Sequence, residues 1–196
     1  MSSSSKLFNS ISRVYGVFFN FQVSYYEKII NKMKPEFDIS QYESLLDVGC
    51  GTGALTKVLY DKGLRVTGID PSKGMLKQAE KRLGNLDIDL MRIIPGGKLS
   101  FPDDSFDIVI SSYVAHGLKP VDRISLYKEM KRVVKKHVII HDYNGERALH
   151  TTLIEWLEGG DYFNFIKVAE KELKAIFPNV KVIDVDTRAA WYICSL

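Results

Sequence analysis

The residues best placed to do chemistry lie between Leu45 and Gly53, in the string LLDVGCGTG. Gly49, Gly51 and Gly53 alternate with other residues, so the chain can turn sharply and a ligand can approach the main chain with no Cβ in the way. A helix opening after such a turn presents backbone N–H groups, which favour a negatively charged ligand group. Asp47 aims a carboxylate at the same mouth, suited to an ammonium group or an ordered water. A second acid, Asp70, ends the next apolar stretch 21 residues after Gly49. Its carboxylate is suited to accept hydrogen bonds from the two vicinal hydroxyls of a ribose. A helix N-cap is the competing role, because Pro71 and Ser72 open a helical stretch directly after it. Met75, one turn on, is placed to pack against an adenine face or to be plain core.

Two ligand classes compete for the glycine loop. The stretch from Gly49 to Ala54 satisfies the loose dinucleotide pattern G-x-G-x-x-G/A, a weak signal when read alone. The fuller string, with Asp47 ahead of the glycines, is more specific. An acid there repels a pyrophosphate and suits a zwitterionic amino-acid tail. No G-K-[ST] follows, which excludes a nucleotide-triphosphate loop. Further along, FPDDSFDIVISS, Phe101 to Ser112, reads as a turn and a buried strand ending at the same carboxyl edge, with Ser111 near its tip. His116 follows by a short loop and is a candidate general base, although a lone loop histidine is more often structural. His141 and Asp142 end the next strand. Their spacing, with His150, does not define a metal site, and no metal is expected.

The elements that must position these residues alternate. Strands are expected at Ser44–Val48, Arg65–Ile69, Ile88–Ile93, Phe106–Ser111 and His137–His141. Helices are expected at Ala54–Lys62, Ser72–Leu83 and Asp122–Lys135, and again within Ala148–Glu158 and Asp161–Phe177. Alternation of this kind means a parallel sheet with helical crossovers. Two closing strands, Val180–Val185 and Ala190–Cys194, have only a turn around Asp186–Arg188 between them, which permits antiparallel pairing and no crossover. Ahead of the sheet, Ile11, Val14, Phe18, Phe21, Tyr25 and Ile29 recur at helical spacing, and Pro35 ends that segment. The aromatic-rich stretch Ile154 to Lys167 is more safely core than the floor of a pocket.

Composition narrows the class. The 196 residues are 45% hydrophobic and 26% charged, an ordinary globular balance. A net charge of +3 is too mild to argue for a nucleic-acid partner. The basic cluster Lys128, Lys131, Arg132, Lys135 and Lys136 is read as helix C-terminal cations that complement the macrodipole and face water. Cys50 and Cys194 are far apart and form no C-x-x-C pair, so a reducing, cytoplasmic setting fits best. The most apolar window, Val14 to Val23, is about half of the ~20 residues that a membrane span needs.

These segments, in this order and spacing, resemble class I methyltransferases that use S-adenosylmethionine, and most of all a small group that includes quinone-biosynthesis methyltransferases. LYKEMKRVVKK, Leu126 to Lys136, is similar to that group's helix before the fifth strand, and LFNSISRVYG, Leu7 to Gly16, to its N-terminal segment. The resemblance implies an α/β, Rossmann-like, doubly wound fold: a mostly parallel seven-stranded sheet ending in an antiparallel hairpin, with helices on both faces. It implies one domain over residues 1–196, with a lid segment at 1–35 and an α/β core at 44–196. It implies that Asp47, Gly49, Cys50, Gly51 and Gly53 wrap the methionine and ribose parts of S-adenosylmethionine. Asp70 and Pro71 then lie at the ribose, Met75 near the adenine, Ser111 at the edge of the pocket, and Tyr15 at the lid near the methyl group. The product would be S-adenosylhomocysteine, and the acceptor a small molecule rather than a nucleic acid or a membrane. An exocyclic base amine is disfavoured, because Ser111-Ser112-Tyr113-Val114 stands where an Asn/Asp-Pro-Pro-aromatic string would be needed. The chain departs from the group at Pro95–Gly97, where an acid usually accepts the adenine amino group. The same βαβ loop leaves a nicotinamide-dependent oxidoreductase, or a non-catalytic S-adenosylmethionine-binding module, as alternatives.

Overall fold

The computed structural model describes residues 18–144 and 162–196. The chain divides into two compact units, residues 1–97 and 98–196.

The first unit begins with helix α1 (Phe19–Met33) and a short 3-10 turn (Ile39–Gln41). It continues through β1 (Ser44–Val48), α2 (Ala54–Asp61), β2 (Arg65–Asp70), α3 (Lys73–Leu83) and β3 (Asp89–Arg92). Strand β2 runs parallel to both neighbours, with Leu46 opposite Thr67 and Thr67 opposite Asp89. Every residue of β1 is buried, as expected of a parallel strand covered on both faces. Helix α1 packs on α2 through a face rotated from the expected stripe. Tyr26, Ile29, Ile30 and Met33 are buried, while Phe18 and Phe21 are 55% and 72% exposed. The apolar spacing marked a helix correctly; contact with α2 chose which side of it faces inward. The part of that stripe before Phe18 lies outside the described residues.

The second unit runs through β4 (Phe106–Ser112), a 3-10 turn (Ala115–Gly117), α4 (Pro120–Val133) and β5 (Val134–Tyr143). Helix α5 (Tyr162–Lys174) and strands β6 (Asn179–Asp186) and β7 (Ala189–Ser195) follow. Strands β4 and β5 are parallel, with Ser112 opposite His141. Strand β7 is antiparallel to β5 and to β6, which is the expected closing hairpin. The expected helix Asp122–Lys135 stops at Val133, because Val134 already pairs with Phe106. Two lysines with good helix propensity therefore sit at the exposed start of a strand, a case of tertiary pairing overriding propensity. The basic cluster also does more than face water. Arg132 donates to the carbonyls of Phe101 and Leu99 and to the carboxylates of Asp103 and Glu129, so it ties down the 99–103 segment. Lys131 Nζ donates to the Ile176 carbonyl at 2.5 Å. In α5, Phe165, Ala169 and Leu173 recur every four residues and are buried, so Phe165, of the aromatic-rich stretch, is core; residues 154–161 of that stretch, and the helix expected within Ala148–Glu158, lie outside the described residues.

The strands form one seven-stranded sheet in the order β3-β2-β1-β4-β5-β7-β6, with helices around it. The doubly wound, mostly parallel expectation is met.

Candidate functional site

In the first unit the glycine loop joins β1 to α2. Gly49, Gly51 and Gly53 all have positive φ, at 79°, 57° and 84°. Two of these glycines are required for different reasons. A Cβ on Gly53 would lie 2.5 Å from Leu83 Cδ1, so the residue lets α3 pack against the loop. A Cβ on Gly51 would meet nothing within 4 Å, so its left-handed backbone borders open space. The N–H groups of the loop are largely turned inward. Gly49 and Cys50 donate to the Ile69 carbonyl, Gly53 to the Cys50 carbonyl, and Gly51 to Asp70 Oδ2 at 2.9 Å. The loop thus offers shape and space, and its own donors at these four positions are already used.

Two carboxyl groups underlie the loop. Asp70, at the end of β2, accepts from the Gly51 N–H and, through Oδ1, from the Ser72 N–H at 2.7 Å. The N-cap of α3 is Ser72, whose hydroxyl accepts from the Met75 N–H, so Asp70 is the staple between β2 and the glycine loop. Burial raises the Asp70 pKa, against the two backbone donors that lower it. Asp47 is 1% exposed and accepts the Thr56 hydroxyl at 2.6 Å. Burial, with a further contribution from the charge of Asp70, pushes its carboxyl up to about 7 despite the Thr56 hydrogen bond. Burial also raises the Cys50 thiol well above its ordinary value, so it stays protonated. Helix α1 reaches the loop through a long contact from the Thr52 hydroxyl to Gln22 Oε1, at 3.5 Å.

In the second unit a side-chain cluster forms where β4 and β5 end. The Tyr113 N–H donates to the His141 carbonyl, and Tyr113 then takes a φ of 53°, which turns the chain into the 3-10 turn that carries His116. His116 Nδ1 lies 2.8 Å from Asp142 Oδ1, and the His116 backbone N–H donates to Asp142 Oδ2 at 3.2 Å. The Tyr143 ring stands edge-on to His116 at 4.8 Å between centroids, and Tyr113 lies 5.2 Å from Tyr143 and 4.9 Å from His141. His141 is buried, and burial pushes its pKa down to about 4, so its ring is neutral. A carboxylate-bound imidazole ringed by aromatic groups is equipped to take a proton from a bound molecule.

Residues 46–141 match the family model described as a methyltransferase domain. This segment is a class I S-adenosylmethionine-dependent methyltransferase domain. The chain is 34% identical over 118 residues to an uncharacterized methyltransferase of Schizosaccharomyces pombe, covering 57% of this chain and 44% of that protein. It is 35% identical over 109 residues to a demethylmenaquinone methyltransferase of Tropheryma whipplei, covering 54% of this chain and 44% of the relative. The chain therefore spans less than half the length of either relative. The solved structure of a putative S-adenosylmethionine-dependent methyltransferase from Methanococcus maripaludis shares the fold. Its TM-score is 0.72 at 16% identity, over 95% of this chain and 92% of that one.

The residues of the glycine loop fit the cofactor of this domain family. Open space at Gly51 admits a ligand to the main chain, and two carboxyl groups underlie a loop whose N–H groups at residues 49, 50, 51 and 53 are already bonded, which suits a cationic sulfonium and an ammonium better than a pyrophosphate. Of the expected site residues, the structure brings Asp47, Gly49, Cys50, Gly51, Gly53, Asp70 and Pro71 together around this loop. Met75 is 4% exposed in α3, within the protein core. The Pro95–Gly97 departure is an exposed turn after β3. Ser111 is buried near the end of β4, with no partner for its hydroxyl among the described residues. Tyr15 and His150 lie outside the described residues. Sequence reasoning marked His116 and Asp142 separately and missed that they bond; Tyr113 and Tyr143 were missed as ring neighbours of the histidine. Among the described residues no helix is long and apolar enough to cross a membrane, and no group of three or more metal-ligating side chains converges.

Proposed function

We propose that this methyltransferase moves a methyl group from S-adenosylmethionine to a small-molecule acceptor that loses a proton. The observation that carries the donor half is the inward-turned glycine loop with its two carboxyls. Gly49, Cys50, Gly51 and Gly53 shape the seat of the methionine and ribose parts, and Asp70, fixed by two backbone N–H groups, accepts from the ribose hydroxyls. Asp47, buried beneath them, holds Thr56 and with it the start of α2. S-adenosylmethionine supplies an already activated methyl group, so the chain has chiefly to align the partners and remove a proton. His116 is the base, and Tyr113 and Tyr143 shape its surroundings. Tyr15 is assigned to the lid by its place in the family motif alone. Two buried, unpaired thiols fit a reducing compartment, and a cytoplasmic location is part of the same proposal.

The test is a metabolite-extract screen with S-adenosylmethionine added. The expected result is a product heavier by one methyl group, formed with equimolar S-adenosylhomocysteine. Binding of the cofactor without any such product would make the chain a binding module.

A further inference from the structure

Arg123 is fully buried in α4, and its guanidinium joins two other segments of the second unit. Nε and Nη2 donate to the two carboxylate oxygens of Glu172 in α5, at 2.6 and 2.8 Å, and Nη1 donates to the Leu118 carbonyl at 2.9 Å. The guanidinium carbon lies 5.5 Å from the centre of the Phe165 ring, which also belongs to α5. Two parallel bonds to one carboxylate fix the plane of the guanidinium, so the direction of Nη1 follows from where α5 stands. Leu118 closes the 3-10 turn that carries His116, and its own N–H donates to the Ala115 carbonyl at 3.1 Å. The first turn of α4 is closed by the Arg123 N–H on the Lys119 carbonyl at 2.9 Å, which leaves the Leu118 carbonyl one residue outside the helix ladder. Arg123 therefore holds the entry to α4 by main chain and side chain together.

We propose that Arg123 and Glu172 are positioning residues, which tie α5 to the Leu118 carbonyl and so set where the turn after β4 stands. This rests on the reading of that end of β4 and β5 as the acceptor side. A buried ion pair is weak evidence for stability, because apolar residues of similar volume often hold two helices at least as well. What apolar residues lack is a donor for the Leu118 carbonyl. The turn needs one, since little packing holds its far end. Gly117, Lys119 and Pro120 are exposed, and a Cβ on Gly117 would meet nothing within 4 Å. Asp142 holds the turn at His116, and Arg123 holds it at Leu118. A shift of α5 is thereby passed to the residues that face the acceptor, where a misplacement on the order of 1 Å costs about a hundredfold in rate.

The test is amide hydrogen exchange, read by NMR on the intact chain, in the double variant Arg123→Met, Glu172→Leu. Its melting temperature should be at or above that of the wild type, as for other buried pairs replaced by apolar residues. The N–H groups of Gly117 and Leu118 should nevertheless exchange about tenfold faster, while the rest of α4 exchanges as before. Affinity for S-adenosylhomocysteine should not change, and once an acceptor is in hand kcat should fall about ten- to a hundredfold. Wild-type exchange at Gly117 and Leu118 would overturn the positioning role. Should the double variant not fold, Glu172→Gln decides, because it keeps the shape of the side chain and one acceptor oxygen. It should speed exchange at the turn alone; exchange raised evenly through α4 and α5 would make the pair a stabiliser of the fold and overturn the proposal. Failure of the acceptor-side reading looks different: exchange at the turn would rise while kcat stayed at the wild-type value.

Discussion

In residues 1–97 the candidate site is made of main chain, drawn from one short stretch between β1 and α2 and stapled by Asp70. In residues 98–196 a separate candidate cluster is made of side chains 26 residues apart, His116 and Asp142, joined because β4 and β5 are parallel neighbours. The first kind of site depends on which φ angles the chain can adopt. The second depends on a register that only packing defines. Substitutions should therefore fail differently in the two units: through conformation and binding in the first, and through proton transfer in the second.

The sharpest contrast is expected from His116→Gln. Loss of a general base should lower turnover about 10²–10⁴-fold, while calorimetric affinity for S-adenosylhomocysteine stays within about twofold of wild type. Turnover near the wild-type rate would break the comparison, since the second unit would then hold no base.

Asp70→Ala comes next. Losing hydrogen bonds to a charged acceptor costs about 1.5–3 kcal/mol, so cofactor affinity should fall about ten- to a hundredfold. The melting temperature should fall as well, because the same carboxylate holds Gly51 and Ser72. Loss of stability with full affinity retained would leave Asp70 as a staple and remove it from the ribose.

The two glycines separate fold from binding within one loop. Gly51→Ala introduces a left-handed alanine into open space, at a cost of about 1–2 kcal/mol in a urea melt, yet the methyl intrudes on the ligand side and should weaken S-adenosylhomocysteine. Gly53→Ala adds a clash with Leu83 and should be the less stable of the two. Equal stability of the pair, or unimpaired binding by Gly51→Ala, would mean that the open space is not the ligand's.

The smallest effect concerns pH. Asp47 has its pKa raised from 3.8 to about 7 in the fold, so the native state binds more protons than the unfolded chain. Its contribution is full below pH 3.8 and is lost as pH rises through about 7. Asp47→Asn should abolish that loss, worth about 1.4 kcal/mol between about pH 6 and pH 8. His141, pushed down to about 4, acts with the opposite sign, costing stability as pH falls below its ordinary value. The readout is thus the difference between wild type and Asp47→Asn, not the wild-type slope. Parallel stability curves for the two proteins would show that Asp47 is ionised in the fold.

Legibility in the sequence follows the same division. Strand β1 is legible at its observed bounds, Ser44–Val48, because a short run that is apolar or small but for Asp47, ahead of a glycine turn, has few other uses. The loop was legible because alternating glycines constrain conformation locally. Strand β5 was read short, as His137–His141, since Lys135 and Lys136 look helical until Phe106 is known to pair with Val134. The His116–Asp142 bond had no local signal at all. Each residue was visible as a titratable group near a strand end, and their meeting required the β4–β5 register together with the positive φ at Tyr113. The inward direction of the loop's N–H groups was hidden for the same reason: Ile69 and Asp70, which accept them, lie on another strand.

The most direct measurement is calorimetric titration of the intact wild-type chain with S-adenosylhomocysteine, repeated with NAD. The glycine loop, with its donors at residues 49, 50, 51 and 53 satisfied internally and carboxyls beneath it, should give saturable binding of S-adenosylhomocysteine and no heat of binding with NAD. Saturable binding of NAD, with none of S-adenosylhomocysteine, would contradict the assignment of this loop to a sulfonium cofactor.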